Sequence, residues 1–283
     1  MTSNNGDAAV VDELIELRGL RFHYRDWLSR RVDAATLVLL HGFTGHARSW
    51  DVFAEAMSDR YHVLALDQRG HGESGWAAAD QYGVEIMADD LEAFVQALGL
   101  KHFALLGLSM GGLVTIEFAG RRSRPPTGCV IVDIGPELVQ AGSSRIQANV
   151  RAADTFASRE EAFAAARADN SRPPEALHRQ RSDAGLMRTE DARWTYRYDR
   201  ALRSPRTLRL RDPQTAWRSC ANIAAPTLIV RGEVSDILSP QIAERMLQTI
   251  PDARLATVAD AGHGVPYDAP EGFLAVARGF LKG

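Results

Sequence analysis

Hydrophobic and polar positions along this chain fall into two alternating regimes. Short apolar runs recur at Thr36–Leu40, Tyr61–Leu66, Phe103–Leu106, Cys129–Val132, Pro226–Val230 and Arg254–Val258. Continuous runs of this length suit strands covered on both faces. Between them, Val84–Leu98 places Ile86, Met87, Leu91, Phe94, Val95 and Leu98 at helical spacing, with Gly99 as the stop. Ser49 is positioned to cap a helix running through Ser58. Helices are also predicted after Gly111, from Ser239–Pro240 onward, and over about Glu271–Leu281. Ahead of all these, Glu13–Leu17 and Leu20–Arg25 alternate around Arg18–Gly19, the pattern of a hairpin. Strands alternating with helices at this interval predict an α/β fold with a mostly parallel sheet and right-handed crossovers.

The pattern changes at Pro136. From Glu137 to Arg218 strand-like runs give way to alanine, arginine and helical spacing. This interval carries 16 arginines against 11 acidic residues, an excess of five, whereas the whole chain is at −3. The expected organisation is a tail at 1–10, a core domain at 11–136 and 219–283, and a helical cap at 137–218 inserted after the sixth strand.

Composition narrows the function classes. At 283 residues, 45% hydrophobic and 24% charged, the chain reads as an ordinary globular protein. Its negative charge argues against a nucleic-acid partner held by phosphate neutralisation. No stretch approaches the ~20 apolar residues of a membrane span. Two cysteines, Cys129 and Cys220, and a polar start without a signal core suit the cytoplasm. No histidine, cysteine or carboxylate grouping has metal-ligand spacing, so no metal and no cofactor are expected. The expected partner is a small-molecule substrate, with no nucleic acid and no membrane; a homo-oligomer is left open.

The candidate chemistry centres on Gly107-Leu108-Ser109-Met110-Gly111, between an apolar run and a helical segment. There a G-x-S-x-G pentapeptide places its serine on a sharp strand-to-helix turn, with the Met110 amide at a helix N-terminus. In open α/β sheets, active groups lie beyond the carboxyl ends of strands. Beyond Thr227–Val230 comes Gly232-Glu233-Val234-Ser235-Asp236, and beyond Arg254–Val258 comes Ala261-Gly262-His263-Gly264.

The order Ser, Asp, His resembles the α/β-hydrolase fold family. The resemblance covers nearly the whole chain: the His41-Gly42 loop, the Asp67–Ser74 loop, the serine elbow, Ser235-Asp236 and Gly262-His263. It implies an eight-stranded sheet flanked by helices and a Ser109–His263–Asp236 triad. In that triad His263 is the base, and Asp236 orients the imidazole and stabilises the imidazolium. Asp133, where some members of the family carry their acid, is the alternative. The oxyanion donors are the amides of Met110 and, as the resemblance implies, Phe43. His41, His71 and Asp67 read as loop-bracing residues.

The activity implied is a serine hydrolase cleaving a small ester, lactone or thioester through an acyl-enzyme. The segment around Ser109 also looks like that of carbon–carbon bond hydrolases and cofactor-free haloperoxidases or perhydrolases. A non-turnover small-molecule receptor is a further alternative on this fold. Trp194, Tyr196, Tyr198 and Trp217 are candidates to line the pocket, and the cap arginines are candidates to hold an anionic substrate.

Overall fold

A computed structural model describes residues 10–29, 31, 33–137, 144, 154–204 and 208–282. The expected tail lies outside these residues except for Val10, which begins β1 (Val10–Leu17). β1 folds back on β2 (Leu20–Trp27) in register Leu17↔Leu20. Arg18 and Gly19 take φ of 53° and 76°, the two left-handed residues a tight hairpin turn needs.

The hydrophobic alternation then builds the sheet. β3 (Thr36–Leu40), β4 (His62–Leu66), β5 (Phe103–Leu108) and β6 (Gly128–Val132) run between α1 (Asp51–Met57), α2 (Val84–Ala97) and α3 (Met110–Arg121). Past the 137–212 interval come α6 (Pro213–Asn222), β10 (Thr227–Gly232), α7 (Pro240–Thr249), β11 (Ala253–Val258), α8 (Val265–Asp268) and α9 (Pro270–Phe280). The eight strands stand in the order β1-β2-β4-β3-β5-β6-β10-β11, antiparallel at the first two junctions and parallel elsewhere.

Because strand side chains alternate, one face of β3 gives Leu37 and Leu39 to a core with Trp50, Phe53 and Phe273. The other gives Val38 and Leu40 to a core with Leu91, Phe94 and Phe118. A third apolar cluster under β6 and β10 joins Ile131 and Ile229 to Trp217, Cys220 and Met246. The chain order reverses across β3, which has β4 on one side and β5 on the other. Such a switch point opens a crevice at the strands' carboxyl ends, between the loop after β3 and the turn after β5.

Two local expectations are corrected. Ser49 caps nothing: its amide already bonds to the His46 carbonyl at 3.0 Å, so it lies inside a 3-10 turn over Ala47–Trp50 that leads into α1. The interval expected to be helical also contains strands. Around α4 (Arg159–Asp169) and α5 (Glu175–Ala184), β7 (Thr155–Phe156), β8 (Leu186–Arg188) and β9 (Trp194–Tyr196) form a small antiparallel sheet, β7-β9-β8. Strands of two or three residues are too short to display an alternation. Helix α6 begins within the same interval yet joins the sheet's flanking helices; a β-carbon on Gly120 of α3 would lie 2.6 Å from the Ser219 carbonyl of α6.

Candidate active site

Ser109 occupies the turn between β5 and α3 at φ 52°, ψ −115°, a conformation that costs a non-glycine residue of order 1–3 kcal/mol. Its neighbours show what makes the turn possible. A β-carbon on Gly107 would strike the Gly111 carbonyl, and one on Gly111 would strike the Leu40 carbonyl. The Ser109 amide is tied to the Val132 carbonyl at 2.9 Å, and its carbonyl accepts from Leu113 at 3.0 Å.

Ser109 Oγ lies 2.9 Å from His263 Nε2, and His263 Nδ1 lies 2.9 Å from Asp133 Oδ2. Since a carboxylate only accepts, Nδ1 carries the proton and Nε2 is free to take one from the serine. Asp133 follows β6 at φ 50° and is fully buried. Its Oδ1 accepts from the Gly232 amide at 2.9 Å, and its Oδ2 also accepts from the Ser235 hydroxyl.

The partner of His263 is therefore Asp133, not Asp236, and the sequence expectation is corrected on this point. In the loop after β10, Ser235 rather than Asp236 turns toward the imidazole's acid. Arg231 fixes that loop by donating to the carbonyls of Leu238, Glu233 and Ser235, and Asp236 stands exposed. The carboxylate that meets His263 thus comes from the adjacent strand's end, since β6 and β10 are direct neighbours.

Beyond β3, an ideal β-carbon on Gly42 would lie 3.4 Å from Ser109 Cβ. This brings the residue before Phe43 up to Ser109, while Met110 is the first residue of α3, where amides lack intrahelical partners. The loop is pinned by His41, whose Nδ1 donates to the Gly42 carbonyl at 2.8 Å and whose Nε2 accepts from the Gln68 amide at 3.0 Å. Burial pushes His41 down to about 3 and His71 down to about 4, so both are neutral scaffold. Asp67 accepts from the amides of Ala47 and Glu73 and from His23. Burial acts against its charge, but the His23 hydrogen bond and the other donors prevail and hold its pKa below the usual range.

Residues not singled out in the sequence complete the site. Asp268 accepts from the Gly262 amide at 2.9 Å and from Asn170 Nδ2 at 2.8 Å, joining the segment after α4 to the residue preceding His263. Burial raises its pKa. The only sequence signal was position, since Asp268 ends the short segment after His263. Of the aromatic candidates, Tyr196 stacks on Tyr198, and Tyr198 packs on His71 and Phe43. Trp217 lies in the third core cluster, and the guanidinium carbons of Arg159 and Arg188 lie 4.4 and 4.9 Å from the Trp194 ring centre. Among the described residues no cluster of His, Cys, Asp or Glu could hold a metal ion, and no helix is long and apolar enough to cross a membrane.

Comparison with known proteins gives a consistent picture. The family pattern for the alpha/beta hydrolase fold matches residues 35–270. The chain is 29% identical to a 3-hydroxybutyrate-oligomer hydrolase of Cupriavidus necator, over 93% of either chain. It is 27% identical to a 2-(acetamidomethylene)succinate hydrolase of Mesorhizobium japonicum, over 90% of this chain and 95% of that one. The crystal structure of an E-2-(acetamidomethylene)succinate hydrolase superposes with a TM-score of 0.87 at 22% identity, covering 97% of this chain and 100% of that chain.

Proposed function

The chain belongs to the α/β-hydrolase family, and on that premise we propose that it is a serine hydrolase of small esters, lactones or thioesters. The observation that carries this reading is the continuous relay Ser109–His263–Asp133, with both contacts at 2.9 Å. In the proposed reaction Ser109 Oγ attacks the substrate carbonyl as His263 Nε2 takes its proton. Asp133 holds the tautomer and stabilises the imidazolium. The amides of Met110 and Phe43 donate to the oxyanion, each such donor being worth about 10²–10³ in rate. Collapse expels the leaving group, which takes the proton from His263, and leaves Ser109 acylated. Water, deprotonated by His263, then attacks the acyl carbonyl and frees the acid and the serine.

The relatives' names, an oligomer of a hydroxy acid and a substituted succinate, favour small acyl substrates. Cys129 and Cys220 are both free and buried, which favours a cytoplasmic setting.

The test is hydrolysis of short-chain p-nitrophenyl esters by wild type and Ser109→Ala, with burst kinetics resolved. A burst followed by turnover, both absent in the variant, is the expected result. Equal activity in the two proteins would refute the acyl-enzyme.

A further inference from the structure

The seam between α5 and the core holds a guanidinium that the relay does not use. Arg181 is half-buried, and its guanidinium carbon sits 4.5 Å from the centre of the Tyr267 ring on α8, just past His263. Its carbonyl accepts from His46 Nε2 at 3.0 Å, where the chain leaves the His41–Gly45 loop. One residue thus touches both segments that flank Ser109. Tyr196, whose neighbour Tyr198 packs on Phe43, also lies within its field.

Arg181 differs from Arg179 and Arg203. Arg179 pairs with Glu160 at 2.6 Å, and Arg203 with Asp154 at 2.8 Å. Among the described residues no carboxylate pairs with Arg181, and its Nε is buried with no acceptor. Arg197 Nε is likewise buried without an acceptor. The histidines nearby add no negative charge: His46 and His178 are pushed down to about 4, by burial first and with a contribution from Arg181. Asp268, the carboxylate that feels Arg181, already uses both oxygens on Asn170 and Gly262.

A partly desolvated cation without a counter-ion is costly. The face of the Tyr267 ring offsets only part of that cost. A guanidinium held this way matches a carboxylate through two parallel N–H donors.

We propose that Arg181 binds a carboxylate on the acyl portion of the substrate. The substrates are then half-esters, half-thioesters or carboxylated lactones of short dicarboxylic acids. Tyr267 orients the guanidinium, and the scissile carbonyl sits at Ser109. The inference rests on the serine-hydrolase reading above.

Monomethyl and dimethyl succinate share a skeleton and differ by one negative charge, so their kcat/KM ratio reads the subsite directly. Arg181→Met should lower the monoanion-to-neutral ratio by about 30-fold, the scale of one lost charge-assisted hydrogen-bond pair, and Arg181→Lys should lower it less. An unchanged ratio would overturn the proposal. Two arms do not depend on the folding of the Arg181 variants, and the calorimetric one does not depend on turnover either. Succinate should bind Ser109→Ala calorimetrically and compete with dimethyl succinate on wild type, whereas neutral succinamide should do neither. Equal behaviour of succinate and succinamide would overturn the subsite. Succinate selectivity without any ester hydrolysis would instead refute the hydrolase reading and leave the subsite standing.

Discussion

His263 Nδ1 donates to Asp133 Oδ2 across 2.9 Å, although the two residues follow strands separated by β10. The loop after β10 closes the gap with Ser235, whose hydroxyl donates to the same carboxylate oxygen. Its Gly232 amide donates to the other oxygen. A buried carboxylate needs hydrogen-bond donors to be satisfied, and the end of β10 and the loop after it supply two of them in place of an acid.

Ser235→Ala removes one donor and leaves the His263 contact in place. The expected loss is about 3- to 10-fold in kcat, in keeping with roughly 1 kcal/mol for one hydrogen bond. Steady-state kinetics with a p-nitrophenyl ester measures it. A loss as large as that of Asp133→Asn would make Ser235 itself a member of the relay.

Asp268 positions His263 indirectly, through the Gly262 amide, and Asn170 extends that grip toward α4. Asp268→Ala should lower kcat, broaden the low-field Nδ1 proton resonance of His263, and cost about 1–3 kcal/mol for the unsatisfied amide. Asn170→Ala should do less, since it leaves the Gly262 bond intact. Wild-type kcat and an unaltered resonance in Asp268→Ala would remove it from the positioning role.

The sheet and the strand-to-helix turn that carries Ser109 were legible because their signals are local. Short apolar runs bounded by turn residues suit strands of a covered parallel sheet, and the glycines at 107 and 111 are dictated by carbonyls a β-carbon would strike. The acid was not legible in the same way. Asp133 and Asp236 both lie just beyond a parallel strand, and which one reaches His263 depends on how Arg231 folds the 232–238 loop, a non-local matter. Position 235 held a usable clue, since a serine there can bridge to a carboxylate next door. The strands of the 137–218 interval were hidden by their shortness, and the Asn170–Asp268 contact by its span of 98 residues.

The buried neutral histidines set the acid limb of stability. His46 and His71 sit at about 4 and His41 at about 3, through burial, against about 6.5 in the unfolded chain. Each contributes stability that is complete above pH 6.5 and lost as pH falls toward 4. Every unit of depression is worth about 1.4 kcal/mol. His23, where Asp67 and Asp12 outweigh burial and raise the pKa, works in the opposite sense. Urea midpoints should fall from pH 7.5 to pH 5, with a shallower fall in His71→Asn. Equal slopes for wild type and variant would show that His71 does not resist protonation.

The relay itself is tested most directly by comparing Asp133→Asn with Asp236→Asn, on one p-nitrophenyl ester under burst conditions. The expected outcome is a loss of about 10⁴ in kcat for Asp133→Asn, the scale of a mis-set imidazole tautomer. Asp236→Asn should stay within a few-fold of wild type, with its burst preserved. The reverse ranking would return the acid to the loop after β10 and contradict the Ser109–His263–Asp133 relay.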